Sequence, residues 1–266
     1  MSAYLAKSPL GYLAEFHCHT CASHDGLTTE SELLRTCVAK GIGLLTITEH
    51  DRLPTVDTQR FWEAGVQIIA GCEFTCERGS HIIGLFIHRG LEKGRSARRI
   101  FEHIRDQGGL VMIPHPFKAG SGFCALYPDH HEYLGQVTLM EAYNGGVPDE
   151  AGRIMQIKSL CAQHGIKIVA ASDAHKAHHV GYYVTAYPAI VKDDWRATLS
   201  EIQGVLLVDE AQTRKPRSLT PIQRNRLYQS IVVWAPPSVK RAVKRYAYRW
   251  RNRHYCPSVP RYVPLP

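Results

Sequence analysis

The chain has 266 residues, enough for one barrel-sized domain or two small ones, and its 44% hydrophobic content is that of an ordinary globular protein. It contains no run of 18 apolar residues, so we predict no membrane-spanning helix. The N-terminal segment lacks the apolar core and cleavage site of a secretory signal, so we expect a cytoplasmic protein. The net charge of +8 is uneven: residues 211–266 hold 13 of the 32 Lys and Arg residues and none of the 24 Asp and Glu residues. This shift predicts an N-terminal domain over 1–210 and a basic, aromatic-rich extension over 211–266.

Strand-like and helix-like segments alternate through the first half of the chain. A strand is predicted over 14–19, and the capping box of Thr29 and Glu32 begins a helix that Gly41 ends. Leu33, Leu34, Cys37 and Val38 share one apolar face of that helix. A strand over 44–48, a helix near 55–64 and a strand over 66–73 follow.

The alternation continues to about residue 210. We predict strands over 81–87, 110–113, 137–143, 166–171 and 205–208. Helices are expected from Ser96 to the Gly108–Gly109 pair, from Pro148 at its first turn to residue 164, closed by Gly165, and over 194–202. Repeated strand–helix units predict a largely parallel sheet, closed or nearly closed.

The basic extension has a different pattern. Two helices are predicted, over 221–234 and 238–253, separated by Pro236 and Pro237, and the last ten residues are expected to be extended. In the second helix basic residues flank an apolar stripe made of Val239, Ala242, Val243, Tyr246 and Trp250.

The eight cysteines show no framework of spacings, so they are predicted to be reduced and mostly buried. Cys18 and Cys21 form a C-x-x-C pair. A redox pair of this kind normally opens a helix, whereas this one brackets His19 at a strand end, so redox chemistry is the less favoured interpretation.

Side chains of the metal-ligand type recur where the predicted strands end. They are His17, His19, Asp25, His50, Glu73, His81, His115, Asp173 and His175. A packed or surface histidine is the common explanation for any single member. The whole set needs a common partner, because buried polar groups at neighbouring strand ends must be satisfied. Imidazole and carboxylate together suit Zn, Mn or Fe, so the set predicts one multinuclear metal centre.

Two pairs in this set have chelating geometry. His17 and His19 are two positions apart, which places both side chains on the same side of a strand. Asp173 and His175 repeat that spacing with a carboxylate and an imidazole.

The segments that carry these residues resemble, in content and in order, the PHP (polymerase and histidinol phosphatase) family of metal-dependent phosphoesterases. They are HCHTCASHDG, GLLTITEHD, GCEF with HIIGL, GGLVMIPHPF, LMEAYN and GIKIVAASDAH. The resemblance covers roughly residues 14–208. It implies an α/β fold, a distorted (β/α)₇ barrel of the PHP type, here with a basic helical C-terminal extension, and a site for two or three divalent ions.

The resemblance also implies a role for each ligand. His17, His19, Glu73 and Asp173 would hold one ion, and Glu73 would bridge to a second ion held by His81 and His115. Asp25, His50 and His175 would hold the third, and the catalytic residues would be Glu73, His115 and Asp173. Asp25 is preferred over the adjacent His24 because it precedes Gly-Leu-Thr as in the family motif. Glu49 stands where the family usually has Asp, beside the ligands rather than among them.

A metal-dependent mechanism follows as a hypothesis. A water shared by two ions attacks phosphorus, and the third ion with nearby cations holds the phosphate oxygens, so no Ser or Cys nucleophile is needed. Cys124, near the PHP segment, is then a packed thiol. Lys118, Lys176 and His178 are candidate phosphate contacts, although a solvated loop position explains each of them equally well.

The favoured function is hydrolysis of a small phosphomonoester or nucleotide. The alternatives are a nuclease using the same metals on nucleic acid held by the basic extension, and a non-catalytic binding or regulatory module in which the metals are structural. Three interpretations of the extension compete: a helical cap that packs its apolar stripe on the N-terminal domain, a nucleic-acid surface, and an anionic-membrane surface.

Overall fold

The computed structural model describes residues 5–213, 236–252 and 254–266. Its ten strands are β1 (Tyr12–Cys18), β2 (Ile42–Ile47), β3 (Gln67–Thr75), β4 (His81–Leu85), β5 (Leu110–Ile113), β6 (Leu139–Asn144), β7 (Lys167–Ala171), β8 (Tyr183–Tyr187), β9 (Val205–Asp209) and β10 (Tyr262–Pro264). The α-helices in the same ranges are α1 (Glu30–Lys40), α2 (Thr58–Glu63), α3 (Ala97–Arg105), α4 (Phe123–Leu126), α5 (Ala151–His164), α6 (Trp195–Glu201), α7 (Glu210–Thr213) and α8 (Pro237–Asn252).

All ten strands belong to one sheet in the order β10-β9-β8-β1-β2-β3-β4-β5-β6-β7. Four neighbouring pairs are parallel and five are antiparallel, so the prediction of a largely parallel sheet is wrong. The segment between β3 and β4 is too short for a parallel crossover, so these two strands form an antiparallel hairpin. The fold is therefore mixed α/β.

The sheet curls so that its far edge returns to its middle. Beyond the end of β7, the backbone N–H of Ala174 donates to the carbonyl of His17 at 3.1 Å, and that of His19 donates to the carbonyl of Ala174 at 2.8 Å. The ends of β1 and β7 are joined in this way although the two strands are not neighbours in the sheet. The curl brings the residues after β7 against those after β1.

Two strands were not predicted as strands. β8 lies antiparallel between β1 and β9 and all five of its residues are buried. β10 forms within the terminal segment predicted to be extended, and it pairs antiparallel with β9 at the edge of the sheet, where Pro264 is tolerated.

The capping signals are mostly confirmed. The capping box of Thr29 and Glu32 is present, and Gly41 ends α1 at φ 67°. Gly165 closes α5 at φ 69°. Pro148 is not in the first turn of α5, because the helix begins at Ala151 after Glu150. Val38 is 51% exposed and does not share the buried face of α1.

Most of the eight cysteines are buried, as predicted. Cys124 is buried, and burial raises its pKa to about 12, which makes it a packed thiol. Cys18 is also buried, its thiol donates to the carbonyl of Thr46, and burial raises its pKa well above the usual range. A thiol in that state is unsuited to disulfide exchange with Cys21.

Within the basic extension the structure describes residues 211–213, 236–252 and 254–266, and the helix predicted over 221–234 lies outside them. The helix predicted over 238–253 corresponds to α8. Its apolar stripe does not pack on the rest of the molecule: Val239, Tyr246 and Trp250 are 44%, 75% and 61% exposed. The helix instead buries its opposite side through Tyr248, so the packed-stripe interpretation is wrong. None of the described helices is long and apolar enough to cross a bilayer.

Candidate metal centre

The nine candidate ligands converge although they come from distant parts of the chain. His17 lies in β1 and His19 follows that strand, while Glu73 lies in β3 and His81 begins β4. The others lie in the loops after β1, β2, β5 and β7; they are Asp25, His50, His115, Asp173 and His175. The curled sheet therefore collects at one end the side chains that the sequence placed after successive strands.

Glu73 is at the centre of this cluster. Its side chain is 1% exposed, and five imidazoles lie within 3.3 Å of its carboxylate oxygens. Oε1 is 2.8 Å from Nδ1 of His81 and 3.3 Å from Nε2 of His115. Oε2 is 3.2–3.3 Å from nitrogens of His17, His19 and His50. The two oxygens thus face two different sets of nitrogens, as the bridging role requires.

Three groups of donor atoms lie close enough together for an ion. They are His17 with His19 and Asp173; His50 with Glu73 and His81; and His19 with Asp25, His50 and His175. They overlap the three predicted subsites without reproducing them: Glu73 is absent from the first, His50 stands in place of His115 in the second, and His19 joins the third. His115 contacts Glu73 but is not a member of these groups.

The third group contains Asp25 rather than His24. Oδ2 of Asp25 is 2.9 Å from Nε2 of His175 and 3.4 Å from Nε2 of His50. The His24 side chain is 64% exposed, and its ring is 3.9 Å from the other Asp25 oxygen. At 38% exposure Asp25 also makes this the part of the centre most open to solvent.

Several buried nitrogens at the centre face neighbours that do not satisfy them. Nδ1 of His50 and Nδ1 of His81 are buried without a hydrogen bond, although each faces an oxygen of Glu73. Nε2 of His17 and Nε2 of His19 point at each other at 3.1 Å. Buried nitrogens and carboxylates that meet without hydrogen-bond geometry need a positive charge between them. The residues therefore fit bound divalent ions.

The pKa values of the cluster are also consistent with bound divalent ions. Burial lowers the pKa of His17, but the carboxylates of Asp173, Glu73 and Glu141 outweigh it and hold that pKa well above its usual range. Burial raises the pKa of Glu73, but the surrounding imidazoles outweigh it and hold it well below its usual range. Burial lowers the pKa of His19 to about 4, which leaves a neutral imidazole. The carboxylates that favour a proton on His17 would equally favour a bound cation in its place, and His19 and Glu73 already have the neutral and ionised forms in which such groups bind metals.

Glu141 is a functional residue that the sequence analysis did not single out. It lies in β6, is 1% exposed, and its Oε1 accepts from Nδ1 of His17 at 2.8 Å. Its Oε2 accepts from the backbone N–H of His115 at 2.8 Å and from the amide of Asn144 at 2.6 Å. A carboxylate on the outer nitrogen of a ligating imidazole holds the inner nitrogen towards the metal. The matching segment LMEAYN contains Glu141, and a carboxylate inside a buried apolar strand was the available signal.

Two other buried carboxylates hold the backbone next to the candidate ligands in place. Glu15 is fully buried and accepts from the backbone N–H groups of His17, Ser172 and Gly181 at 2.9–3.2 Å, which joins β1 to the segment after β7. Glu49 is also fully buried, and it binds the backbone N–H and hydroxyl of Thr20. Glu49 therefore anchors the loop after His19 and is outside the three donor groups, as predicted for this departure from the family pattern.

Two ligand positions have strained backbones. His115 has φ 30° and Asp173 has φ 49°, in a region that residues other than glycine rarely adopt. Strain of this kind costs about 1–3 kcal/mol per residue and persists where the surrounding structure holds it. Here the carboxylate of Glu141 holds the N–H of His115 in place.

The three candidate phosphate contacts differ in position. Nζ of Lys118 is 3.6 Å from Oδ2 of Asp173, and the side chain lines a small cleft beside His115. Lys176 and His178 are half-buried in the loop after β7, and the ring of His178 lies 6.4 Å from that of Tyr248 in α8. The structure brings Lys118 to the ligands and places His178 beside the basic extension.

Comparison with known proteins agrees with this geometry. An uncharacterized protein of Methanocaldococcus jannaschii is 33% identical over 116 residues, which are 39% of this chain and 67% of that protein. A 5'-3' exoribonuclease of Haemophilus influenzae is 34% identical over 111 residues, which are 40% of each chain, so the match spans well under half of that enzyme.

A solved structure has the same fold. It is a two-domain protein of Bacteroides vulgatus containing a predicted PHP-like metal-dependent phosphoesterase, with a TM-score of 0.54 and 18% identity, covering 76% of this chain and 66% of that one. The sequence profile of the PHP domain matches residues 15–206, which include all nine candidate ligands. The chain therefore belongs to the PHP domain family.

Proposed function

We propose that the chain is a metal-dependent phosphoesterase that hydrolyses a small phosphomonoester or a nucleotide on a distorted (β/α)₇ barrel of the PHP type. The observation that carries the proposal is the placement of Glu73, whose two oxygens face separate sets of imidazoles. A single structural ion is normally closed by four ligands. The larger shared donor set suits two or three ions.

The proposed ion sites keep the predicted ligand sets, which the three donor groups overlap. His17, His19, Glu73 and Asp173 would hold one ion, Glu73 with His81 and His115 a second, and Asp25, His50 and His175 a third. When bound, such ions would acidify a water molecule and polarise phosphate oxygens. Zn, Mn and Fe all suit imidazole and carboxylate donors.

The chain's own residues prepare the site in two ways. Glu141 fixes the orientation of His17 and His115, so the ligands are positioned before substrate arrives. Lys118, 35% exposed and 3.6 Å from Asp173, places a cation at the edge of the cluster, where it would hold a phosphate oxygen. Lys176 and His178 would contact the substrate phosphate at a greater distance from the ion sites.

The exposure of the third donor group to solvent favours a catalytic site over a purely structural one. Asp25 and His175, with side chains 38% and 29% exposed, bring the third donor group to solvent. A phosphate group could therefore reach donor atoms that a closed structural site would hide.

The test is an activity screen of protein with measured metal content, supplied with Mn²⁺ or Zn²⁺, against nucleotides, sugar phosphates and p-nitrophenyl phosphate. His17→Ala and Asp173→Ala should lose at least 100-fold in activity and also bind less metal. A matched control is His164→Ala, at the exposed end of α5. Full activity in metal-stripped His17→Ala protein would refute the proposal. If the metal-replete protein is inactive on every ester, the result favours the non-catalytic module.

A second candidate function is a nuclease acting through the same donors. It is favoured by the similarity to an enzyme named as a 5'-3' exoribonuclease and by the basic helix α8. The screen separates the two when it includes 5'-phosphorylated oligonucleotides: a nuclease releases nucleotides from them, whereas a small-ester phosphatase releases only inorganic phosphate.

A further inference from the structure

Helix α8 is attached to the loops that carry the third donor group. Nη2 of Arg245 donates to the backbone carbonyls of Cys21 at 2.6 Å and Ser23 at 3.4 Å, just before Asp25. Tyr248 is 6% exposed, and its hydroxyl accepts from the backbone N–H of Ala177, two residues after the ligand His175. The helix therefore lies at the solvent-exposed mouth of the metal centre.

The opposite side of α8 presents aromatic rings to solvent. Tyr246 and Trp250 are two residues before and after the buried Tyr248, so each is about 200° around the helix from it. Their exposures of 75% and 61% are among the largest for aromatic side chains in the part of the chain that the structure describes. One helical turn separates them, about 6 Å along the axis, so both rings line one side.

The same helix carries three exposed cations that form no ion pair with the acidic residues in the described part of the chain. Arg241, Lys244 and Arg249 are exposed, and no acidic residue among those described forms an ion pair with them. α8 itself contains no Asp or Glu. Exposed cations interleaved with exposed rings are complementary to a ligand with regular negative charges and flat apolar faces.

We propose that the outward side of α8 is a docking surface for a single-stranded nucleic acid. Backbone phosphates contact Arg241, Lys244 and Arg249, and unpaired bases stack on Tyr246 and Trp250. Through Arg245 and Tyr248 the strand is held beside the loops of the metal centre. Delivery of the strand for hydrolysis rests on the second candidate function, the nuclease; the binding surface itself rests on neither candidate.

A single strand fits this surface better than a bilayer. Membrane-surface helices insert large apolar side chains into the lipid. Beyond its two rings, the exposed stripe of α8 offers only the small side chains Val239, Ala242 and Val243. A flat bilayer on the outward side would also be held about a helix diameter, 10–12 Å, away from the loops, whereas a flexible strand can bend around the helix.

A duplex is the weaker ligand for the same surface. Its base faces are hidden by stacking, so Tyr246 and Trp250 would contribute only at its ends. Stacking on aromatic side chains is a property of unpaired bases and is tolerant of sequence.

The experiment measures binding of the full chain to a fluorescent single-stranded 12-mer whose phosphorothioate linkages resist hydrolysis, by anisotropy at several salt concentrations. Tyr246→Ala and Trp250→Ala should each weaken binding about 5- to 150-fold. R241Q/K244Q/R249Q should reduce the slope of log affinity against log salt by about 2. These side chains are exposed, so circular dichroism should show an unchanged fold.

The matched control is R89Q/K93Q/R98Q, which removes the same charge from exposed positions at and before the start of α3. It should leave the salt slope unchanged. The proposal is overturned when the α8 variants bind as the wild type does, when the control loses as much, or when α8 governs sedimentation with phosphatidylserine vesicles but not 12-mer binding. Because no turnover is measured, α8-dependent binding by a protein inactive on all esters would contradict the proposed function alone.

Discussion

Replacing Glu141 by glutamine tests whether this carboxylate sets the protonation of the candidate metal ligand His17. Three N–H donors converge on its two oxygens, from Nδ1 of His17, the backbone of His115 and the amide of Asn144. A glutamine has one oxygen and one amide group, so it cannot accept from both sides. When its oxygen serves His115 and Asn144, its amide faces Nδ1 of His17. That imidazole must then carry its proton on Nε2, the atom 3.3 Å from Glu73 and 3.5 Å from Asp173.

The magnitude follows from the role of such outer carboxylates. Losing one typically lowers metal affinity 10- to 100-fold, which corresponds to about 1.4–2.7 kcal/mol. In E141Q the lone pair of Nε2 is lost to a proton, so we expect the upper part of that range. Activity on any phosphate ester should fall in parallel, because His17 lies in the proposed first ion site.

The assay is a competitive titration of Zn²⁺ or Mn²⁺ against a chromophoric chelator, with thermal unfolding recorded on the same samples. E102Q is the matched control, since Glu102 is 39% exposed on α3 and contacts only Arg99 among the acidic–basic pairs described. E141Q that folds and binds metal within twofold of the wild type would refute the tautomer argument.

Three further predictions concern other parts of the molecule. Gly146→Ala places a Cβ 2.6 Å from Oδ2 of Asp173, so that carboxylate must move, and metal affinity measured by the same titration should fall roughly tenfold; an unchanged affinity would show that the carboxylate adapts freely. Removing metal with a chelator should lower the unfolding midpoint by about 5–11 °C for an ion bound at 100 times its Kd, whereas an unchanged midpoint would mean that no ion was bound to the folded protein. Phe101→Ala, at a site 1% exposed with Phe123 and Tyr133 rings 5.9 and 5.2 Å away, should reduce the free energy of unfolding by about 3–5 kcal/mol in denaturant titrations, and a loss below 1 kcal/mol would contradict the packing.

Most strands and their ligands were predictable because the local signals are strong. A buried apolar run followed at once by a histidine or carboxylate marks a strand that ends at a polar site, as at His50 and His115. The capping box at Thr29 and the glycines at 41 and 165 marked helix ends for similar local reasons. The direction of each strand was harder, because pairing depends on partners far away in the chain. β8, antiparallel beside β1, has no local feature that distinguishes its direction.

The basic extension also has a feature that depends on distant partners. The periodicity of residues 238–253 predicts a helix, but the side of the helix that packs depends on the surface against which it lies. The stripe with the larger apolar residues is exposed, and Tyr248 and Arg245 make the contacts, because the loops after β1 and β7 offer a backbone N–H and backbone carbonyls.

The sequence by itself determined which side chains are candidate ligands of the metal centre, since residue type and position after a strand are local properties. Only the tertiary structure decided how they are arranged: that Glu73 lies between two sets of imidazoles, that Glu141 orients His17 from β6, and that α8 stands at the mouth of the site. These facts depend on the curl of the sheet, which brings together residues more than 120 positions apart, such as His17 and Glu141. A distance of that kind is set by packing of the whole chain, and no local pattern encodes it.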